Sequence, residues 1–413
     1  MSTVILVLDG FGLGAMPDAG RDRPKDADAD TLGTLARWAA ESKNGGMRIP
    51  HLAALGLKAL RPDLSLPSSA PVSSSVARMS ALGYPGADSF AGHQTMMGAD
   101  MSHVALCRLG ERIDDVRSVL DAAGHCTRLL DGWPVIVVDE HMLVHDNLEA
   151  DPGLNWNVSA PLDIVPWEVL LDAAQTVRSV APVARVIAVG GYSDRPLSAS
   201  VREGDLGVVG LDTPESGFYR NHGLKVQHLG ATVDYHRQLP EAAARAGLRV
   251  ALVGKAADIL QSQQELIRCP AVETHEVLDY TVAAAAESGL VVANVQQTDL
   301  AGHQQDPAAF VHLLEMVDER IPILLSAMHR DDLLVITADH GNDPLVGHAY
   351  HTREHVPVLA IKPSGPAVAA QRGSDLGSLA DVGAGVARFL NLGEQLLANG
   401  CPVDLTRPAA DRD

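Results

Sequence analysis

The stretch VITADHGNDPLVGHAYHTRE, residues 335–354, carries an apolar run into an acid and a histidine, Asp339 and His340, and brings a further histidine, His351, eleven positions later. The run DLLVITAD (332–339) has the aliphatic, β-branched character of a strand that stops at a polar residue. Similar runs recur at TVILVLD (3–9), LRVALVG (248–254), GLVVANV (289–295) and VPVLAIK (356–362). Between them lie Ala-rich amphipathic segments that predict helices at 31–42, 239–247, 278–289, 307–329 and 379–391. Near-continuous apolar strands alternating with helices predict an α/β fold with a central, mostly parallel sheet covered by helices on both faces.

The middle of the chain reads differently. Short strands such as WPVIVVDE (133–140) and VARVIAVGG (183–191), one helix at 166–179 and turn-rich segments predict a small α+β domain. The expected organisation is a core of 1–101 and 231–413 with an inserted domain at 102–230.

With 413 residues, 46% of them hydrophobic, the chain can bury a large core without disulfides. Lys and Arg number 32 against 52 Asp and Glu, and a formal charge of -20 argues against nucleic acid or an anionic membrane as partner. Cys107, Cys126, Cys269 and Cys401 are scattered without CxxC spacing, which speaks against a disulfide framework or thiolate zinc. No signal peptide and no bilayer-length apolar run is evident, so a cytoplasmic location is expected.

In parallel sheets the active site gathers at the carboxyl ends of the strands. Asp9 closes the first strand, Asp299 and His303 follow the strand at 289–295 in QTDLAGH, and Asp339, His340 and His351 lie in the opening stretch. Three carboxylates and three imidazoles make a hard oxygen and nitrogen donor set for two cations such as Mn, Zn, Co or Fe. Two cations suit phosphoryl or hydrolytic chemistry, which also needs a nucleophile. Ser89, in GADSFAGHQTMMG (86–98), stands on a turn before a helix whose amides could cradle a phosphoryl group.

VILVLDGFGLGAMPDA (4–19), DADTLGTL (28–35), DSFAGHQTMMG (88–98), VALVGKAADI (250–259), ADHGNDP (338–344) and HTREHVPVL (351–359) together resemble the phosphopentomutase family of the alkaline phosphatase superfamily, with cofactor-independent phosphoglycerate mutase as a relative. The resemblance implies an alkaline-phosphatase-like core, two divalent metal ions, manganese with zinc as the alternative, and an inserted cap domain. It implies that Asp9, Asp339 and His340 hold one metal together with Ser89, and that Asp299, His303 and His351 hold the other. Ser89 falls where the family carries the phosphorylated hydroxyl, and Lys255 falls on a lysine that reaches the substrate phosphate. The implied activity is a phosphomutase of the ribose 1-phosphate/ribose 5-phosphate type, acting through a phosphoserine with a sugar bisphosphate as primer.

The departures lie mostly in the cap. SAP (159–161) replaces an acid by Pro161, and AVGG (188–191) and FYRNHG (218–223) stand where the family has Arg-rich segments, leaving Arg220 and His222 as replacement cations. In the core, QQTDLAGH (296–303) loses one acid, and His348 adds a candidate that reads as a surface or supporting residue. A paralogue acting on another phosphorylated small molecule, as mutase, phosphatase or phosphodiesterase, stays open at this point, as does a binding protein that merely keeps the fold.

Overall fold

The computed structural model describes residues 1–408 apart from 22, 43–45, 68, 70–72, 149–151, 219, 222, 364–367 and 394–395, so His222 lies outside the described residues. They form two compact units, Met1–Met101 with Val233–Asp413, and Ser102–Thr232. Among the described residues no helix is long and apolar enough to cross a membrane.

The first unit is built on strands β1 (Thr3–Leu8), β2 (Ser74–Ser80), β3 (Val250–Val253), β4 (Ile267–Cys269), β5 (Leu290–Val295), β6 (Leu333–Thr337), β7 (Val356–Lys362) and β8 (Gln371–Arg372). They make one sheet in the order β4-β3-β5-β1-β6-β7-β2-β8. Every residue of β1, β5 and β6 is buried, which is why these strands read as apolar runs without alternation. From β4 to β6 all pairings are parallel. β7 runs antiparallel to β6, because the chain returns through the loop at 338–355 with no crossover helix.

The helices that bear on the site are α1 (Thr31–Ser42), α2 (Ser89–Met96), α3 (Thr274–Ala285), α4 (Gln297–His303), α5 (Pro307–Ala327) and α6 (Ala380–Phe389). α5 packs on α1, α3 and α4, and α3 packs on β5. α3 begins four residues before the sequence pattern suggests, since Gln297 Oε1 accepts from the free Thr274 N–H at 2.8 Å. The pattern also missed β2: SSVARMS is too polar to read as a core strand, and pairing with β7 makes it one.

The second unit carries a six-stranded sheet in the order Lys225–Gly230, Arg185–Gly191, Asn155–Pro161, Met142–Asp146, Ile136–Val138 and Thr127–Leu129. One face of the sheet, with Trp156 and Val158, packs against the helices Ile113–Ala122 and Trp167–Arg178. The other, with Leu143 and Ile187, packs against Leu211 and Phe218. The strand expected at 133–140 shrinks to Ile136–Val138, because Asp139 and Glu140 turn the chain at φ 48° and 64°.

Candidate metal centre

Register brings the site together. Leu8 lies opposite Val295 and Val7 opposite Thr337, so the carboxyl ends of β5, β1 and β6 are level. Asp9 follows β1 directly, Asp339 and His340 follow β6, and Asp299 and His303 stand one turn apart on α4, just beyond β5. The result is two groups, Asp9 with Asp339 and His340, and Asp299 with His303 and His351, each with its donor atoms within 4.8 Å of one another.

In the first group His340 Nε2 lies 3.5 Å from Asp9 Oδ1 and 3.4 Å from Asp339 Oδ2. In the second, His303 Nε2 and His351 Nε2 are each 3.3 Å from an Asp299 oxygen and 3.0 Å from one another. The groups adjoin, because the His340 and His351 rings stack with centroids 3.9 Å apart.

All three histidines anchor Nδ1 on a backbone carbonyl: His303 on Ala349 at 2.6 Å, His351 on Ala87 at 3.0 Å, and His340 on Gly341 at 3.0 Å. A carbonyl can only accept, so Nδ1 carries a proton and Nε2 is the atom that each ring turns towards the carboxylates. His340 Nε2 is buried and has no hydrogen-bond partner. A dry lone pair facing two acids is unfavourable until a cation joins them, so the donor set fits a divalent metal.

Ser89 opens α2. The preceding Asp88 caps this helix by accepting from the Ala91 N–H at 2.9 Å. Ser89 Oγ donates to Asp339 Oδ2 at 2.7 Å and lies 3.4 Å from Asp9 Oδ1. Lys255 Nζ donates to Ser89 Oγ at 2.9 Å and pairs with Asp9 Oδ2 at 2.5 Å, with Asp299 Oδ2 3.9 Å away. Gly92 lets the helix sit this close, since a Cβ there would meet the Asp339 carbonyl oxygen at 2.7 Å.

A family model for the metalloenzyme superfamily matches residues 1–394. The phosphopentomutase of Methylobacterium radiotolerans is 31% identical over 422 residues, spanning 94% of this chain and 97% of that protein. The chain belongs to the metalloenzyme superfamily, in its phosphopentomutase family. The phosphopentomutase of Deinococcus radiodurans is 30% identical, with 94% and 96% of the two chains aligned. Among solved structures, Leishmania mexicana phosphoglycerate mutase at low cobalt concentration aligns with 99% of this chain and 97% of its own, at 16% identity and a TM-score of 0.43.

In this metalloenzyme protons compete with the cations. Burial and the neighbouring Asp339 push the Asp9 carboxyl up to about 7. Burial pulls the His303 pKa down, but the bond to Asp299 outweighs it and lifts it to about 9. Burial also opposes the charge on Asp299, and the His351 and His303 rings outweigh that, holding its carboxyl well below the ordinary range. Both raised groups must lose a proton to bind metal, so affinity rises with pH. Divalent-cation affinity is expected to rise by about one log unit per pH unit below about 7 at the group with Asp9, and by about one per pH unit below about 9 at the group with His303, each levelling off above. Isothermal titration across that range checks this, and a flat profile would contradict it.

Three residues that the sequence reading left without a role support the centre. Glu354 is fully buried and accepts from the N–H groups of Gly14 and Thr31, both at 2.9 Å, and from the hydroxyls of Thr31 and Thr352, both at 2.6 Å. It ties the loop after β1 and the start of α1 to the segment that carries His351. Glu354→Ala leaves four donors unmet, three of them buried, and is expected to cost the first unit about 3 kcal/mol of unfolding free energy, read by denaturant titration. His93 and Asn294 are the other two, both at 0% exposure.

His348 pairs with Asp26 Oδ1 at 2.7 Å and stands outside both donor groups. With Arg23, which donates to the His351 carbonyl at 3.0 Å, it stitches the segment after β1 to the loop at 344–354. In the second unit Arg220 is exposed, and Pro161 lines a 340 Å³ cavity with Arg128, His141 and Arg195.

Proposed function

We propose that this metalloenzyme is a phosphomutase working through a phosphorylated Ser89 and two divalent cations. The observation that supports this is the place of one hydroxyl: Ser89 Oγ is held by Asp339 and Lys255, beside one donor group, with the other close by through Lys255. Asp9, Asp339, His340 and Ser89 would hold one manganese ion, and Asp299, His303 and His351 the other, with zinc as the alternative. Bound there, the cations lower the pKa of the hydroxyl and stabilise charge on the phosphoryl group.

The chain's own groups supply position. Asp339 orients Ser89 Oγ, and Lys255 offers a positive charge to the phosphoryl oxygens beside it. The positive end of α2 favours an anion at the same place. Phosphoserine gives its phosphoryl group to one hydroxyl of a sugar phosphate, the bisphosphate turns, and its other phosphate returns to Ser89. The unit Ser102–Thr232 would be the cap that receives the substrate, with Arg220 as a contact. The substrate on this reading is ribose 5-phosphate or ribose 1-phosphate, with a sugar bisphosphate as primer.

Pro161 favours a second reading. At the end of its strand it offers the cavity beside it no charge, although an acid belongs at this position in the sequence pattern the chain resembles. A different phosphorylated small molecule, rearranged or hydrolysed on the same centre, would suit that change. Phosphorus NMR of the manganese-loaded protein with ribose 5-phosphate and a glucose bisphosphate primer separates these readings. Sugar 1-phosphate supports the first, inorganic phosphate alone supports a hydrolase, and no turnover with both metals bound points to another substrate.

A further inference from the structure

We propose that His93 and Asn294 form a positioning brace that holds the two carboxylates of the Ser89-side metal site in place. The inference rests on reading Asp9, Asp339 and His340 as ligands, and it concerns residues that touch only those ligands and the nucleophile helix.

Asn294 is the one side chain in the strand LVVANV that is neither aliphatic nor methyl, and it is wholly buried. An amide at that position costs stability unless its hydrogens are used. Both are: Asn294 Nδ2 donates to Asp9 Oδ2 at 3.0 Å and faces His93 Nε2 at 3.0 Å. Asn294 Oδ1 is buried without a partner, so the side chain is held for its two N–H groups alone. A carboxylate on one side fixes the orientation of the amide, and that orientation makes His93 Nε2 an acceptor.

His93 then carries its proton on Nδ1. That atom donates to the Ser89 carbonyl at 2.8 Å and lies 3.2 Å from Asp339 Oδ2. With the Ser89 hydroxyl bonded to the same Asp339 oxygen, the contacts close a ring: Asp9, Asn294, His93, Asp339 and Ser89. The ring ties the end of β1, the interior of β5, the loop after β6 and the first turn of α2 into one unit. It leaves the carboxylates fixed before a cation arrives, which is what a strong, selective site requires. Asp299, His303 and His351 have no part in it, so disturbing the ring should weaken one site and spare the other.

The test is manganese titration by calorimetry, with metal content after desalting, on the full chain bearing Asn294→Leu, His93→Gln or His93→Asn. Asn294→Leu keeps the volume and removes both donors, and the affinity of one of the two sites is expected to fall at least tenfold with the other unchanged. His93→Gln keeps an acceptor for Asn294 and His93→Asn keeps a donor for Asp339, so each should lose less than Asn294→Leu. In turnover, kcat should fall with little change in KM. Two sites within twofold of wild type in every folded variant would overturn the brace. Equal weakening of both sites would overturn it too, as mere structural damage. Fewer than two manganese ions in the wild type would instead overturn the two-metal reading on which the brace rests.

Discussion

With Ser89 replaced by alanine, phosphoryl transfer is expected to fall by on the order of 10⁴-fold or more even at metal concentrations that fill both sites, because the covalent route disappears. The hydroxyl is one donor among the several that surround Asp339, whose other oxygen accepts from the Gly10 N–H at 3.2 Å. Removing it takes one ligand and one ring contact from that site but leaves all six carboxylate and imidazole donors in the chain, so added metal can still fill both sites. The measurement is single-turnover transfer from a labelled sugar bisphosphate, with protein-bound phosphate read by mass spectrometry. Retained transfer in the variant would end the phosphoserine reading, whatever the substrate.

The second large effect is expected at the acids. Asp339→Asn and Asp299→Asn should each reduce bound manganese from about two ions to about one and lower turnover by roughly 10³-fold, since a neutral amide cannot replace a carboxylate against a hard cation. The two variants should differ in one respect. Asp339 also receives the Ser89 hydroxyl and stands beside His93, so its replacement disturbs the nucleophile as well as the metal. Asp299 is surrounded by His303, His351 and the Asn342 amide, which donates to its Oδ1 at 2.8 Å, and it makes no bond to Ser89. Raised manganese concentration should accordingly rescue Asp299→Asn more fully than Asp339→Asn. Equal rescue, or two ions retained in either variant, would count against the proposed division of ligands.

Much of the candidate centre is legible in the sequence because of where its residues stand. A parallel strand buried on both faces cannot keep a charge within it, so an acid at its end, as at Asp9 or Asp339, is conspicuous against the run before it. Asp299 and His303 share a helix face through the i, i+4 spacing, which needs no tertiary knowledge. Asn294 is not legible in this way, because one amide in an apolar strand carries no periodic signal, and its partners Asp9 and His93 are 285 and 201 positions away. Glu354 looks like an ordinary loop acid, since the hydroxyls and amides that receive it come from residues more than 300 positions earlier as well as from Thr352 close by. His348 could be a ligand by type and spacing, and only its pairing with Asp26 assigns it elsewhere.

The α/β architecture can be read from the chain, since solvent exclusion on both faces leaves its mark as uninterrupted aliphatic runs, and so can the polar residues that stand at the ends of those runs. Only the folded chain shows the antiparallel return of β7, the stacking of His340 on His351, and the orphaned His340 Nε2 that calls for a cation. These depend on the register between strands and on hydrogen bonds between residues hundreds of positions apart, and distances of that kind are set by packing, not by any local pattern in the chain.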